Sequence, residues 1–464
     1  MDIDVIKKLI QNNTQSHNKF IKKATVAERY YRNKNDITTD KSPSNNGSSN
    51  ADNPLRNADN RIPFNWHSFL VNQKISYMFT YPPTFDVYDD FINEKIADIL
   101  GDAYPKEAKT LGKNASNCGK SWLHIWLDGN KEIQYSNVDP KQIIPIYSSD
   151  LKKTLKFVLR TYSKVVEDGK ECEVYEFWDD KNCYTFKNDI TKDISVGLEI
   201  YNMFTQTNLD TGEKEKVSVI DHSFGDVPFI EFNNNDLNIS DLDNVKPLID
   251  VYDKVFSGFV NDIEDIQEVI FVLNNYGGTD LNEFLKGLKK YKTVDLQNGE
   301  DEKNALSTVT IDIPVEARNT LLSMTEKQIY VQGQGVNPNP ENFANTSGVA
   351  LKFLYTLLEL KSGLMETEFR LGFAKLVRMI CKHLNFNPRK INQTWTRNMI
   401  TNDTETAEIA KNSVGIMSDK TVRKNHPFME DETSEEEQIK AEKEEQRSEI
   451  DYTNIIPTRG KDEE

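Results

Sequence analysis

GQGVNPNPENFANTSG, residues Gly333 to Gly348, is almost uncharged, with Glu341 its only ionisable residue, and it separates two strong helical patterns. Before it, Pro314 opens a helix that runs to about Val331. Proline in the first turn sacrifices no hydrogen bond, and Glu316 beside it suits the positive end of the helix dipole. After it, Thr346 or Ser347 can cap a helical pattern from Val349 to about Leu384, in which Gly363 and Gly372 permit a kink. At the helical rise per residue this element is about 50 Å long, more than a compact domain usually needs and apt for crossing an assembly. A long loop of this composition between two helices has no core to build; such loops are functional or merely tolerated.

Upstream, the chain from Asp241 to Ile270 reads as one helix. Val245, Leu248, Ile249, Tyr252, Val255, Phe256, Phe259, Ile263, Ile266 and Ile270 recur at three- and four-residue steps. Between Asp241 and Glu268 eight acids face two bases, so the other side is acidic and is expected to be a solvated or channel-facing wall. An insert from Asn274 to Asp312 follows, with Tyr276-Gly277-Gly278, a short helix near Leu281 to Leu288 and a strand in Ser307 to Ile313. Nearer the N-terminus, helices are expected at 14–35, at Phe69 to Met78 (stopped by Pro82-Pro83) and at 90–118, the last as one helix or a helix pair broken near Gly101 and Pro105. The stretch Thr38 to Arg61 reads as a loop. From Ser121 to about Tyr201, runs such as SWLHIWL, KFVLRTYS and CEVYEFWD alternate with turn pairs Asp128-Gly129, Asp168-Gly169 and Asp179-Asp180; the meander resumes at Val217 to Phe232. Helices followed by such a meander make an α+β fold. Beyond residue 385 the reading gives a strand at Ile391 to Trp395, a helix near Thr404 to Lys411, a break at His426-Pro427 and a charged segment from Glu430.

Composition excludes several function classes. No run approaches the roughly 18 apolar residues of a membrane span, and MDIDVIKKLIQNNTQ lacks the pattern of a signal peptide; a soluble, intracellular chain is expected. Cys118, Cys172, Cys183 and Cys381 are scattered and read as ordinary buried thiols. The six histidines, at 17, 67, 124, 222, 383 and 426, form no ligand spacing. The nearest nucleotide-binding pattern, Gly112 to Ser121, ends in Gly-Lys-Ser but has Asn114 where a P-loop needs its first glycine. It also lies between a helix and a strand, the reverse of the phosphate-cradling order, so Gly119 reads as a helix stop. Of the acids Asp262, Glu264, Asp265 and Glu268, the three at 262, 265 and 268 could line one helix face, but with no closed set of oxygen ligands they read as a solvated or channel-facing wall rather than a metal site. No catalytic residue, cofactor or metal is expected, and a nucleotide-driven motor subunit is set aside. Of the net charge of -17, the segment Glu430 to Glu464 carries -9. Tight DNA binding calls for a basic groove; none is evident, which confines any nucleic-acid contact to loose or local ones.

The chain resembles the portal (head-to-tail connector) proteins of long-tailed, non-contractile phages. The resemblance is carried by Arg29-Tyr30-Tyr31, Asn35-Asp36-Ile37, Asn60-Arg61-Ile62-Pro63-Phe64-Asn65, Val71 to Tyr77, Val227-Pro228-Phe229-Ile230 and Tyr276-Gly277-Gly278. It continues in Ile313 to Arg318, in Ile329-Tyr330 with Gln332-Gly333-Gln334-Gly335-Val336, in Ser347 to Lys352, in Glu359-Leu360-Lys361, in Glu366 to Arg370 and in His426-Pro427-Phe428. It departs after Tyr77, where Thr80-Tyr81-Pro82-Pro83 replaces a Gly-Lys-Pro-like turn. The resemblance implies a phage portal fold: a wing of helices and β meander (1–240), stem helices (241–270 and 314–332), a clip between them (271–313), a channel loop (333–348), a spine helix completing the wing (349–384), a crown (385–450) and a disordered acidic tail (451–464). It implies a ring of about twelve copies at one capsid vertex that conducts double-stranded DNA. The implied partners are the terminase packaging motor, the head-completion or tail adaptor, scaffold and major capsid protein, with no membrane. The implied location is the virion's portal vertex, reached from the host cytoplasm during assembly. Gln334, Val336, Asn337, Asn339 and Asn342 would be the DNA-facing loop residues. The alternative reading is a capsid or tail scaffold or adaptor that does not surround DNA.

Overall fold

In the computed structural model of the chain, the described residues are 2–39, 58–165, 169, 171–207, 213–266, 270–273, 306–309, 314–339, 353–398, 403–418, 421–422 and 438–443. They form two compact units: residues 1–337 with 357–398, and residues 338–356 with 399–464. The fold is mixed α+β, as the sequence pattern implied.

Asp2 caps the first helix by accepting the Asp4 N–H at 3.1 Å, and α1 (Ile3–Tyr31) follows. The helix begins well before the expected residue 14. Ile6 and Ile10, one turn apart, are buried with Ile144, Leu159, Phe177 and Phe186, so sheet contacts stabilise the extra turns. The other end of α1 buries Ala27 and Tyr30 against Leu70, Val245, Ile249 and Ile329. Next come α2 (Asp36–Thr39), α3 (Trp66–Phe79), β1 (Thr84–Asp86), α4 (Asp90–Leu100) and α5 (Tyr104–Cys118). The break between α4 and α5 lies at Gly101, at φ 55°, whereas Pro105 sits in the first turn of α5, where proline is tolerated.

The meander comprises β2 (Lys120–Leu127), β3 (Ile133–Val138), β4 (Ile143–Tyr147), β5 (Leu155–Val165), β6 (Glu171–Trp178), β7 (Asn182–Asp189), the short α6 (Ile194–Gly197), β8 (Glu199–Ile200), β9 (Phe204–Thr207), β10 (Lys214–Val217), β11 (Val219–Asp221) and β12 (Phe229–Asn233). One antiparallel sheet runs β11-β7-β6-β5-β4, with β8 also on β7; a second runs β12-β2-β3; β9 and β10 form a hairpin. Trp122, Val138, Ile143, Val158, Trp178, Val227 and Phe229 are buried together and join the two larger sheets.

The helix α7 (Lys246–Ile266) is shorter at both ends than the expected 241–270. Its start is set by Pro247, which belongs in a first turn. At its far end the β-branched and aromatic run Ile270-Phe271-Val272 favours extended chain, and Ile270 lies in β13 (Ile270–Leu273), paired antiparallel with β14 (Leu306–Val309). The strand expected at Ser307 to Ile313 starts one residue earlier, at Leu306, and residues 310–313 of it lie outside the described residues. Tyr276 to Gly278 and the helix near Leu281 fall outside them, as do Asp168, His426-Pro427 and the segment 451–464. Then follow α8 (Val315–Gln332), α9 (Thr356–His383), β15 (Asn392–Thr394) and α10 (Asp403–Asn412). β15 pairs with β1, Phe85 opposite Gln393.

The helix α9 is continuous through both Gly363 and Gly372. A Cβ on Gly372 would stand 2.5 Å from the Phe232 ring, so glycine there permits close approach of α9 to β12. Phe369 and Phe373 then pack with Phe79, Phe85, Phe232 and Trp395, ring centroids 5.0–5.9 Å apart. Among the described residues no helix is long and apolar enough to cross a membrane.

Candidate functional site: the loop anchor and the joint behind it

The loop that follows α8 leaves the helix against α3. Gly333 and Gly335 lie so close to Leu70 that a Cβ on either would come within 2.5 Å of its methyl carbons, which is why the sequence reads Gly-Gln-Gly here. Gln334 between them is half-buried at φ 52°. The Gln73 side chain then brackets Val336 as a strand neighbour would: it accepts the Val336 N–H at 2.8 Å and donates to the Val336 carbonyl at 2.7 Å. Val336 is buried, Asn337 half-buried and Asn339 exposed, while Asn342 lies outside the described residues.

Behind this anchor is a charged cluster. Asp241, in the turn before α7, meets Lys74 of α3 at 2.7 Å and Lys361 of α9 at 3.1 Å. Lys361 also donates to the Gly333 carbonyl at 3.0 Å, and Asn234, just after β12, binds both Lys74 and Asp241. Three other chain segments thus converge on one carboxylate, whose side chain is 6% exposed, and Lys361 links it to a fourth at Gly333. Burial alone would raise the Asp241 carboxyl, but the ammonium groups of Lys361 and Lys74, with hydrogen bonds from Lys74 and Asn234, hold it well below the usual carboxylate range. Burial pushes the Lys74 ammonium down to about 8 despite the Asp241 charge. Beside the cluster, His67 binds Asn117 at 2.9 Å and is lowered by burial to about 4, so it is a neutral hydrogen-bonding group.

The acidic segment is solvated only in part: Asp243 and Glu264 are exposed, whereas Asp250 and Asp262 are half-buried and Asp253 is buried. Residues 60 to 64 lie along α7 as an extended strap. The N–H groups of Asn60, Ile62 and Phe64 donate to Asn261 at 2.7 Å, Ser257 at 3.0 Å and Asp253 at 2.9 Å. Alternate residues of an extended chain repeat every ~6.6 Å and every fourth helical residue every ~6.0 Å, so the two ladders match over this length. Pro63 falls at an intervening position where no donor is needed. Asn60 also donates to Glu264 at 2.8 Å, Asp262 pairs with Arg318 of α8, and Asp250 takes Lys246 and the Tyr30 hydroxyl. Asp253 additionally accepts from Asn35 at 2.6 Å; burial outweighs these bonds and lifts its carboxyl to about 6.

Residues 10–449 match the family described as phage portal protein, SPP1 Gp6-like. The chain belongs to the phage portal protein family. This portal-family chain is 43% identical over 442 residues to the portal protein of Clostridium phage phiCD119, covering 92% of this chain and 95% of the relative. It is 28% identical over 417 residues to the portal protein of Bacillus phage SPP1, covering 88% and 80%. A solved structure described as the neck of a native GTA particle computed with C12 symmetry aligns at TM-score 0.39 and 11% identity, covering 77% of this chain and 88% of that one.

The other chemistry weighed in the sequence is accounted for by the portal chain's packing. Gly112 to Cys118 are helical within α5, Gly119 caps the helix at φ 82°, and Lys120 pairs with Glu231 at 2.9 Å, so the Gly-Lys-Ser run forms no phosphate cradle. All four cysteines are free and buried; burial raises the Cys118 thiol to about 12. Among the described residues, no group of three or more His, Cys, Asp or Glu side chains could hold a metal ion. Sequence reading did not isolate Lys74, Asp241 and Lys361, which lie 167 and 120 residues apart along the chain. The available signal was two lysines at otherwise apolar helix positions, each of which needs a buried counter-charge.

Proposed function

We propose that this chain is the repeating subunit of a closed ring, of about twelve copies, at one capsid vertex, and that double-stranded DNA passes through its channel during packaging and ejection. In this reading residues 1–240 with α9 are the wing, α7 and α8 the stem, 271–313 the clip that meets the terminase motor and later the tail adaptor, and 385–450 the crown. Scaffold and major capsid protein are the remaining partners. The observation that carries the reading is family membership across residues 10–449. The anchored start of the loop adds a physical reason. Val336 is held by Gln73 while Asn339, three residues on, is exposed; in a ring, twelve copies of the loop 333–348 would line the channel. Asparagine and glutamine side chains there would touch phosphates through neutral bonds and guide a duplex without holding it.

Native mass measurement tests the ring: twelve chains of 53.4 kDa give about 640 kDa in one closed cyclic particle. A monomer or dimer at high concentration would instead favour a scaffold or adaptor. Replacing Asn337 and Asn339 by lysine tests the loop. Rings should still form, and packaging should slow in low salt and recover as salt screens the added charge. Unchanged packaging at both salts would remove these residues from the DNA path.

A further inference from the structure

In a chain of net charge -17, residues 369–402 hold seven bases and no acid, although at the chain's average of 74 acids in 464 residues such a stretch would hold about five. The structure divides these bases into two sets. Arg397 binds Glu359 and Glu366, Arg370 binds Glu366, and Lys375 pairs with Asp226 at 3.2 Å; these hold α9 and its neighbours together. Arg378, Lys382, Arg389 and Lys390 are exposed, and among the described residues none has a carboxylate partner. Lys382 donates to the Phe224 carbonyl at 2.7 Å, a neutral acceptor that fixes its position.

The surface is an ordered one. Beyond α9 the chain turns back through Asn385, at φ 56°, with the Phe386 N–H on the Cys381 carbonyl at 2.8 Å. The pairing of β15 with β1 ties down the far end of the loop that carries Arg389 and Lys390. A cation in the last turn of a helix is explained by the helix dipole, and Lys382 needs no more than that. Arg389 and Lys390 lie past the helix end and Arg378 more than a turn before it, so the dipole does not account for them.

We propose that Arg378, Lys382, Arg389 and Lys390 form a phosphate-contacting surface for double-stranded DNA, the local exception on a subunit whose net charge repels it. Scattered single cations of this kind bind weakly and in a salt-sensitive way, which suits a transient contact better than a grip. The inference rests on the ring-and-channel reading, and its test scores the two separately. Fluorescence anisotropy of a labelled duplex of about 30 base pairs, titrated with the full-length protein at several salt concentrations, gives the slope of log K against log salt. The triple variant Arg378→Ala/Arg389→Ala/Lys390→Ala should bind at least ten-fold more weakly at low salt, and the slope should fall by about 0.9 for each removed cation that touches phosphate. Native mass recorded on the same samples reports the ring independently. An unchanged slope in the triple variant overturns the proposal, whether or not rings form. So does an equal loss in Lys152→Ala/Lys153→Ala, which removes two exposed lysines of the β4–β5 turn. Retained duplex binding by the triple variant, together with loss of binding to a synthetic acidic peptide, would overturn it in favour of a protein partner.

Discussion

Replacing Asp241 with asparagine removes the single carboxylate that lies 2.7 Å from Lys74 and 3.1 Å from Lys361. The lysine side chains are 1% and 10% exposed, so solvent offers little compensation. Orphaning a buried charge in this way costs about 3–5 kcal/mol. A ceiling follows from the alternative open to Lys74, which is to release its proton. From an unfolded value near 10.4, doing so at pH 7 costs about 4.6 kcal/mol. The variant should therefore be destabilised by about 3 to 4.6 kcal/mol at pH 7, with Lys74 largely neutral in its folded state. The sign of the pH dependence is determined by the same groups. Where the unfolded chain binds the Lys74 proton and the folded chain does not, stability rises with pH. In the variant that window begins below pH 7, whereas in the native protein it begins near 8. The gap between the two should narrow by about 1.4 kcal/mol from pH 7 to pH 8 and then stay constant. Urea unfolding followed by tryptophan fluorescence at pH 7.0, 8.0 and 8.5 measures this. A loss below about 1 kcal/mol, or a gap that does not change with pH, would refute the assignment of Asp241 as the counter-charge of both lysines.

Three further outcomes follow from the packing. Gly372→Ala should destabilise by about 1–3 kcal/mol because its Cβ meets the Phe232 ring, whereas Gly363→Ala, with nothing within 4 Å, should stabilise by up to about 1 kcal/mol; equal melting shifts would show that α9 does not approach β12 so closely. The Asp253 carboxyl, raised to about 6 by burial, takes up a proton in the folded chain between about pH 6 and 4 while the unfolded chain does not. Its contribution to stability should therefore grow as pH falls through that window, and Asp253→Asn should abolish this component; identical pH–stability curves would refute it. Gln73→Ala leaves the Val336 N–H and carbonyl without their partner, at a cost of about 1–3 kcal/mol. It should speed limited proteolysis after residue 336, and an unchanged cleavage rate would place the loop anchor elsewhere.

Elements whose apolar spacing was matched by local punctuation were legible from sequence. The pair α4 and α5, the cap at Gly119, the β meander and β15 all lie close to where turn residues and periodicity put them. The misjudged boundaries are those where a distant partner decides. Ile6 and Ile10 extend α1 only because a sheet built 130 residues later offers them a surface. Ile270 satisfies a helical period and a strand equally well, and pairing with β14 settles the matter. Charge informed only in part: eight acids in one segment read as a solvated or channel-facing wall, and Asp243 and Glu264 are indeed exposed. Asp253 and Asp262 of that set instead take a backbone N–H and an arginine from segments far apart in sequence. Of the five loop residues singled out, composition could not distinguish Val336, which is buried on Gln73, from Asn339, which is exposed. That difference depends on α3, more than 250 residues away.

The convergence on Asp241 has a mechanical consequence. Lys361 binds Asp241 and the Gly333 carbonyl at once, so α9, the start of α7 and the end of α8 share one polar centre, with α3 and the end of β12 completing it. An apolar centre of the same volume would hold these segments at least as tightly. It would also tolerate sliding, because dispersion contacts are non-directional, whereas two ammonium groups sharing one buried carboxylate have few satisfactory arrangements. Moving α9 along its axis by one turn, about 5.4 Å, would strip Lys361 from both partners and leave it among buried atoms. Shifts much smaller than a turn keep the bonds and carry Gly333 with them. The position at which the loop leaves the protein is therefore tied to the position of the long helix, and the base of the loop moves with the body of the subunit rather than independently of it.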